Sequence, residues 1–504
     1  RRAARLRTAG RVLPSLNRLQ WLGIAAAIAA GVAFRVWIYR SALGAPDSDE
    51  AIVGLMARHA LHGDFTVFFW GQPYGGSQEA LLTVPFFVVF GTSLLALRIV
   101  PMLLTAAAAA VVWRVGRRTF GELPGVVAGL LVWIWPPYPI VHTTPAFGFY
   151  GATLLDCALL LLLALRIVEE PSLVRVALFG FVFGLAFWES AQIIPIAGPM
   201  IAWTLWRRPR ALRHVWAALL AAAIGALPWL VWNIENDWHS VLARAGLSAY
   251  FHGLRLFVSP LLPMLLGLRA PLTGQALLPK VLTLAVYALL LGAFLWGAVR
   301  ARRSSAGLIY GVALAFPFLW AISHRVAILT SHPIYLIVVA PVVALLLASV
   351  ATSQWRAAAV LVAAGAVSAV TLQRMDTWLT ADRPHWPPPT PRDLTPLVAA
   401  LDGLRLDRVY ADYWIAYRLD FETKERIVAT YDDWLHWSTH DGQVTPDPPL
   451  RVRWPPYRRE VARARHGFVF LDPEPYSNPI VTALRRERYA IRSVGPFVIY
   501  APRH

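Results

Sequence analysis

Apolar runs of about 18 to 22 residues recur along this chain, and no other feature restricts its fold as much, because a helix of that length crosses roughly 30 Å of hydrocarbon. They fall near 21–39, 96–116, 123–140, 149–167, 174–189, 190–206, 213–232, 281–299, 306–322, 334–350 and 356–373. With 57% hydrophobic and only 15% charged residues, the 504-residue chain holds more apolar surface than one soluble core absorbs. The expected fold is therefore a polytopic α-helical membrane protein with 11 transmembrane helices. That number is odd, which puts the two ends on opposite sides.

Arginine placement orients the spans, since Lys and Arg near span ends are retained on the cytoplasmic side. Arg1, Arg2, Arg5, Arg7, Arg11 and Arg18 precede the first run; Arg117 and Arg118, then Arg207, Arg208 and Arg210, then Arg300, Arg302 and Arg303 mark alternate later loops. All share one side if residues 73–90 lie in the interface. The N-terminus is then cytoplasmic, and the loop after span one, the 233–280 region and the C-terminal tail are extracytoplasmic. The formal charge of +18 sits largely in these loops, so membrane lipids and not nucleic acid are the expected partners. The first run, flanked by arginines, reads as a retained anchor in a bacterial plasma membrane. Cys157, the lone cysteine, falls in a span, so no disulfide holds the tail.

Three units follow. Residues 1–375 form the membrane domain, with interfacial helices at 48–90 lying along the bilayer surface and an external region at 233–280. Residues 376–391 are a Pro-rich linker around Arg383-Pro384-His385-Trp386-Pro387-Pro388-Pro389. Residues 392–504 alternate short β-rich runs (408–413, 426–430, 467–471, 492–500) with helical stretches (396–404, 479–487), as a small α/β domain does. The two halves of the chain are unrelated, which weakens a lipid or polysaccharide flippase or transporter, the alternative reading.

Chemistry concentrates just after span one, where Asp47-Ser48-Asp49-Glu50 places three carboxylates in four residues. Asp47 and Glu50 have the spacing of a capping box. Asp49 is left over on the first turn, as a base near a helix start would be. The polar string from Trp70 to Glu79 offers Gln72, Tyr74 and Glu79 among Gly71, Gly75 and Gly76, either to bind a sugar or phosphate or as a surface turn. External basic groups are few: Arg98, Arg269, His324, Arg325 and His332. Each needs a phosphate, an anionic lipid or a nearby acid. His142, Tyr150 and Glu189 mark external span ends, with Asp156 about two turns deeper than Tyr150. Trp434, Trp437, Tyr457 and Tyr476 in the tail are candidates to stack on sugars or to form core.

Asp49-Glu50-Ala51 followed by Met56-Ala57-Arg58 and Gly63, Phe90-Gly91 through Leu97-Arg98, and Gly116-Arg117-Arg118-Thr119-Phe120-Gly121 resemble the GT-C superfamily of membrane glycosyltransferases. Within it, they are most similar to the branch of protein O-mannosyltransferases and the lipid A aminoarabinose transferase. The resemblance implies transfer of a hexosyl or pentosyl group from a polyprenyl-phosphate sugar to an extracytoplasmic glycan, lipid or protein, and one direct displacement would invert the anomeric carbon. In that branch the first-loop acid activates the acceptor hydroxyl, a role that falls to Asp49 with Glu50 and Asp47 beside it. Basic groups hold the donor phosphate, for which Arg269 and Arg325 stand first by location, then Arg98, His324 and His332. Gln72, Tyr74, Glu79, His142, Tyr150 and Glu189 are the expected substrate contacts. No cofactor is implied, and no second acidic pair supports a metal. Where relatives carry Lys-Pro-Pro, this chain has Gly71-Gln72-Pro73-Tyr74, without the cation.

Overall fold

Every one of the eleven apolar runs is helical, but their lengths differ from a uniform set of spans. The computed structural model describes residues 18–241, 247–322, 333–381, 390–431, 437–440, 443–446, 452–471, 479–487 and 489–503. Arg1 to Arg11, the Arg383 to Pro389 spacer, His324, Arg325, His332, Trp434 and Tyr476 lie outside the described residues. The chain opens with α1 (Arg18–Arg40), α2 (Ser48–Leu61), α3 (Gln78–Phe90), α4 (Leu94–Thr119), α5 (Glu122–Ile134), α6 (Pro137–His142), α7 (Tyr150–Glu169) and α8 (Leu173–Glu189).

Among the described residues, five helices are individually long and apolar enough to cross a membrane: α1, α4, α7, Lys280–Ala301 and Gln354–Leu379. A bent pair, Pro209–Gly225 and Leu227–Glu235 at 65°, makes a sixth if counted as one span. Proline shortens several others, since it removes an amide donor and clashes with the preceding turn. The run at 123–140 divides at Pro136, and the run at 334–350 begins as a 3-10 stretch, Pro333–Val339, before Ala340–Ala348. The chain is an integral membrane protein, with fewer full-length helices than the apolar runs alone suggest.

The C-terminal part is a mixed sheet with helices against it. Its strands are β1 (Arg408–Ala411), β2 (Val428–Thr430), β5 (Gly467–Leu471), β6 (Ala490–Val494) and β7 (Phe497–Ala501), in the order β2-β1-β5-β7-β6, while β3 (Trp437–His440) and β4 (Gln443–Pro446) form a separate pair. β1 runs parallel to β2 and β5; β7 is antiparallel to β5 and β6. The run expected as one strand at 492–500 turns back on itself at Gly495, whose φ of 54° suits a residue without a side chain.

This domain determines where α2 sits. One apolar core joins Ala51, Ile52, Leu55 and Met56 of α2 to Phe69 and Trp70 of the following loop and to Tyr413, Tyr417 and Phe421 of the helix Tyr413–Glu422. The two helices meet closely at Gly54, where an added Cβ would lie 2.4 Å from the Phe421 ring. α2 is thus buried from Glu50 to Arg58. The C-terminal domain packs over this helix.

Candidate active site

The α2 start is built from its own polar residues. Asp47 caps the helix, its Oδ1 accepting from the Glu50 amide at 3.0 Å. Burial, and then the negative charge of Asp49, push the Asp47 carboxyl well above the usual carboxylate range. Ser48 Oγ accepts from the Tyr417 amide at 3.2 Å, and Glu50, fully buried, turns inward. Its Oε1 accepts from Arg98 Nε at 2.7 Å and from the Ala146 amide at 3.2 Å, and its Oε2 from Arg98 Nη2 at 2.5 Å. Asp49 is part-exposed, with 32% of its side chain open, and does not share Asp47's capping bond or Glu50's burial.

Asp49 is held from the C-terminal domain. The Tyr413 hydroxyl donates to Asp49 Oδ1 and accepts from Arg453 Nε at 3.0 Å, and Arg453 Nη2 stands 4.0 Å from the same Oδ1. Burial pushes the Tyr413 phenol well above its usual range, so this hydroxyl keeps its proton to donate. Asp49 Oδ2 makes no hydrogen bond with the described residues. On the far side of Arg453, the Gln72 amide, oriented so that both ends are satisfied, accepts from Nη2 and Nη1 at 2.7 and 2.8 Å and donates to the Tyr74 hydroxyl at 3.0 Å. Tyr150 lies within electrostatic reach of Asp49, Tyr74, Tyr138 and Tyr335. One free carboxylate oxygen therefore borders a polar, tyrosine-lined site fed by the membrane helices, the 69–78 loop and the C-terminal domain.

A family model described as dolichyl-phosphate-mannose-protein mannosyltransferase matches residues 80–232. Two solved structures align over nearly the whole chain. ArnT from Cupriavidus metallidurans in the apo state is 14% identical, covering 96% of this chain and 97% of that one, with a TM-score of 0.60. The same protein bound to undecaprenyl phosphate is 13% identical, covering 97% and 99%, with a TM-score of 0.58. The fold is GT-C. The Archaeoglobus fulgidus oligosaccharyltransferase in complex with Zn and sulfate aligns at 13% identity over 89% of this chain and 68% of that one, with a TM-score of 0.50. By sequence, no curated protein matches.

Within this GT-C fold the expected site residues separate into groups. Asp49, Gln72, Tyr74 and Tyr150 come together. Glu50 and Arg98, expected at the substrate, neutralise each other in the protein interior. Arg269 is half-buried in the 268–277 turn, where it forms a bridge with Ala276, and its guanidinium has no hydrogen bond or ion pair among the described residues. Glu189 organises the loop: its carbonyl accepts from the Gly76 amide at 2.8 Å and its Oε2 from the Gln78 amide at 3.1 Å. Glu79 is buried beside it, with Oε1 unpartnered among the described residues. His142 Nδ1 is 3.0 Å from the Tyr138 carbonyl, and its ring packs on Tyr138 at 4.2 Å and Phe147 at 5.2 Å. Among the described residues, no three of His, Cys, Asp and Glu converge as metal ligands.

Sequence reasoning missed Tyr413 and Arg453. Tyr413 and Tyr417 share one face of their helix at the i, i+4 spacing, a pattern that signals a helix face but not the partner it meets. Of the tail aromatics, Tyr457 donates to Glu425 Oε1 at 2.6 Å. A cation does stand against Gln72, and it is Arg453.

Proposed function

We propose that this protein transfers a sugar from a polyprenyl-phosphate donor to a hydroxyl of an extracytoplasmic acceptor, with Asp49 as general base. The observation that carries this is the asymmetry of the Asp49 carboxylate, one oxygen held by Tyr413 and the other without a hydrogen bond among the described residues. Support comes from the GT-C fold, from the mannosyltransferase model over 80–232, and from the undecaprenyl phosphate held by the ArnT relative.

The chemistry is one displacement. The acceptor hydroxyl oxygen bonds the anomeric carbon as its proton passes to Asp49 Oδ2, while the carbon–oxygen bond to the phosphate breaks and its electron pair stays on the phosphate. Attack opposite the leaving group inverts the anomeric centre. The departing phosphate gains negative charge, which cations at the membrane surface stabilise; Arg269, His324, Arg325 and His332 are assigned there. The polyprenyl tail confines the donor to the bilayer, so it enters from the side. The arginine pattern supports a site and a C-terminal domain outside a bacterial plasma membrane. The sugar is a hexose or pentose, and the acceptor a glycan, lipid or protein of the envelope.

Membranes holding the full chain, given labelled polyprenyl-phosphate hexoses and pentoses, test the assignment. Released polyprenyl phosphate together with a labelled acceptor is the expected result. No release from any donor, alongside measurable lipid translocation, would establish the transporter reading instead.

A further inference from the structure

We infer that Arg453 is a positioning residue by which the C-terminal domain completes the site: acting through Tyr413, it determines which oxygen of Asp49 is left to take a proton. The inference rests on Asp49 being the base. A phenol has one proton to donate, and its oxygen accepts. Arg453 Nε–H approaches the Tyr413 oxygen at 3.0 Å, so the phenolic proton is directed to its other neighbour, Asp49 Oδ1. Oδ1 is occupied by that bond, and Oδ2 is the oxygen presented to the acceptor.

Arg453 is itself fixed from several sides. Its amide donates to the Tyr417 hydroxyl at 2.8 Å, and its guanidinium reaches Gln72 through both Nη atoms. Its stem lies over Gly71, where a Cβ would come within 3.0 Å of Arg453 Cδ and 3.1 Å of its Cα; Gly71 also has a φ of 69°. The Tyr413 ring is 5.3 Å from the guanidinium and the Phe69 ring 5.9 Å. A planar fork with five donors can hold Tyr413 and Gln72 together in a fixed relation, which a single ammonium group cannot. Arg453 thereby ties the 69–78 loop of the membrane portion to the Tyr413–Glu422 helix, and the Asp49 hydrogen bond depends on both.

The test compares Arg453→Gln, Arg453→Lys, Tyr413→Phe and the double variant Tyr413→Phe with Arg453→Gln, all full-length in proteoliposomes, for kcat and donor KM, with thermal unfolding as the folding control. Arg453→Gln is expected to lower kcat about 10²-fold, as a misplaced catalytic group does, with donor KM within about threefold of the parent. Arg453→Lys should recover part of the loss, and the double variant should be no slower than Tyr413→Phe alone, because the two act as one unit. A raised donor KM at unchanged kcat, losses that multiply in the double variant, or no effect would each overturn the inference. Where Arg453→Gln does not fold, Arg453→Lys and Tyr413→Phe carry the comparison. Should Asp49→Asn retain full transfer, the base assignment itself falls; should it be inactive while Arg453→Gln keeps the parental kcat, only this inference falls.

Discussion

Glu50 and Arg98 meet in a two-pronged ion pair whose side chains are 0% and 3% exposed, with Arg98 Nη2 also donating to the Gly44 carbonyl at 3.0 Å. The pair fastens the start of α2 to the start of α4. Removing one partner strands the other charge in the interior, which costs about 3–5 kcal/mol. Arg98→Ala and Glu50→Gln should each lower the unfolding temperature sharply, while the folded fraction keeps the parental donor KM. Thermal unfolding in detergent, paired with donor titration, checks both.

Glu79 behaves in the opposite way. Burial first, and then the charge of Glu189, push its carboxyl well above the usual range, and its Oε1 has no partner among the described residues. A carboxyl raised in the folded state binds its proton more tightly there. Its stability contribution is therefore complete below the ordinary value near 4.5 and is lost as pH rises toward the folded value. Glu79→Gln should unfold at the parental temperature or higher at pH 8, and its stability should change less between pH 5 and pH 8 than the parent's. A large loss at pH 8 would show that the Glu79 carboxylate is needed in its charged form.

Glu425 joins the C-terminal domain to α2. Its Oε1 accepts from His59 Nε2 at 2.8 Å and from Tyr457 at 2.6 Å, and its Oε2 lies 3.4 Å from Arg58 Nη1. Burial acts to raise its carboxyl, but the hydrogen bonds from His59 and Tyr457, then the charges of His59 and Arg58, outweigh this and hold it at about 2. A lowered carboxylate stabilises above its unfolded value and loses that contribution as pH falls through the folded one. Glu425→Gln should therefore trail the parent by a constant amount, about 2–3 kcal/mol, at neutral pH. The gap should close between 4.5 and about 2. Unfolding followed across that range measures it.

Gly76 has no room for a side chain. A Cβ there would lie 2.4 Å from Glu189 Oε2 and 2.7 Å from Glu189 Cα. Gly76→Ala should push the 69–78 loop away from α8 and destabilise the protein by about 1–3 kcal/mol, the usual range for overpacking. Thermal unfolding reads the loss directly.

What the sequence revealed depends on how local each signal is. The apolar runs were all helical, and the Asp47–Glu50 spacing does mark the cap of α2, because both patterns are contained within a few turns of chain. The expectation that an external arginine needs a partner also applied to Arg98, whose partner is an acid instead of a phosphate. The burial of α2 could not be read in the same way. Its covering face is Tyr413–Glu422, more than 350 positions onward, and periodicity reports only that a face is apolar, not what lies against it. Tyr413 and Arg453 were hidden for the same reason: each lies in a domain whose docking onto the first loop has no local signature.

The central claim is that Asp49 takes the acceptor proton during sugar transfer. Its most direct measurement is the single-turnover rate of labelled sugar transfer by Asp49→Asn and by the parent in the same proteoliposomes, with polyprenyl-phosphate donor binding measured alongside. The account predicts a rate lower by about 10²- to 10⁴-fold with donor binding and unfolding temperature unchanged. Transfer at the parental rate by a folded Asp49→Asn protein would contradict it.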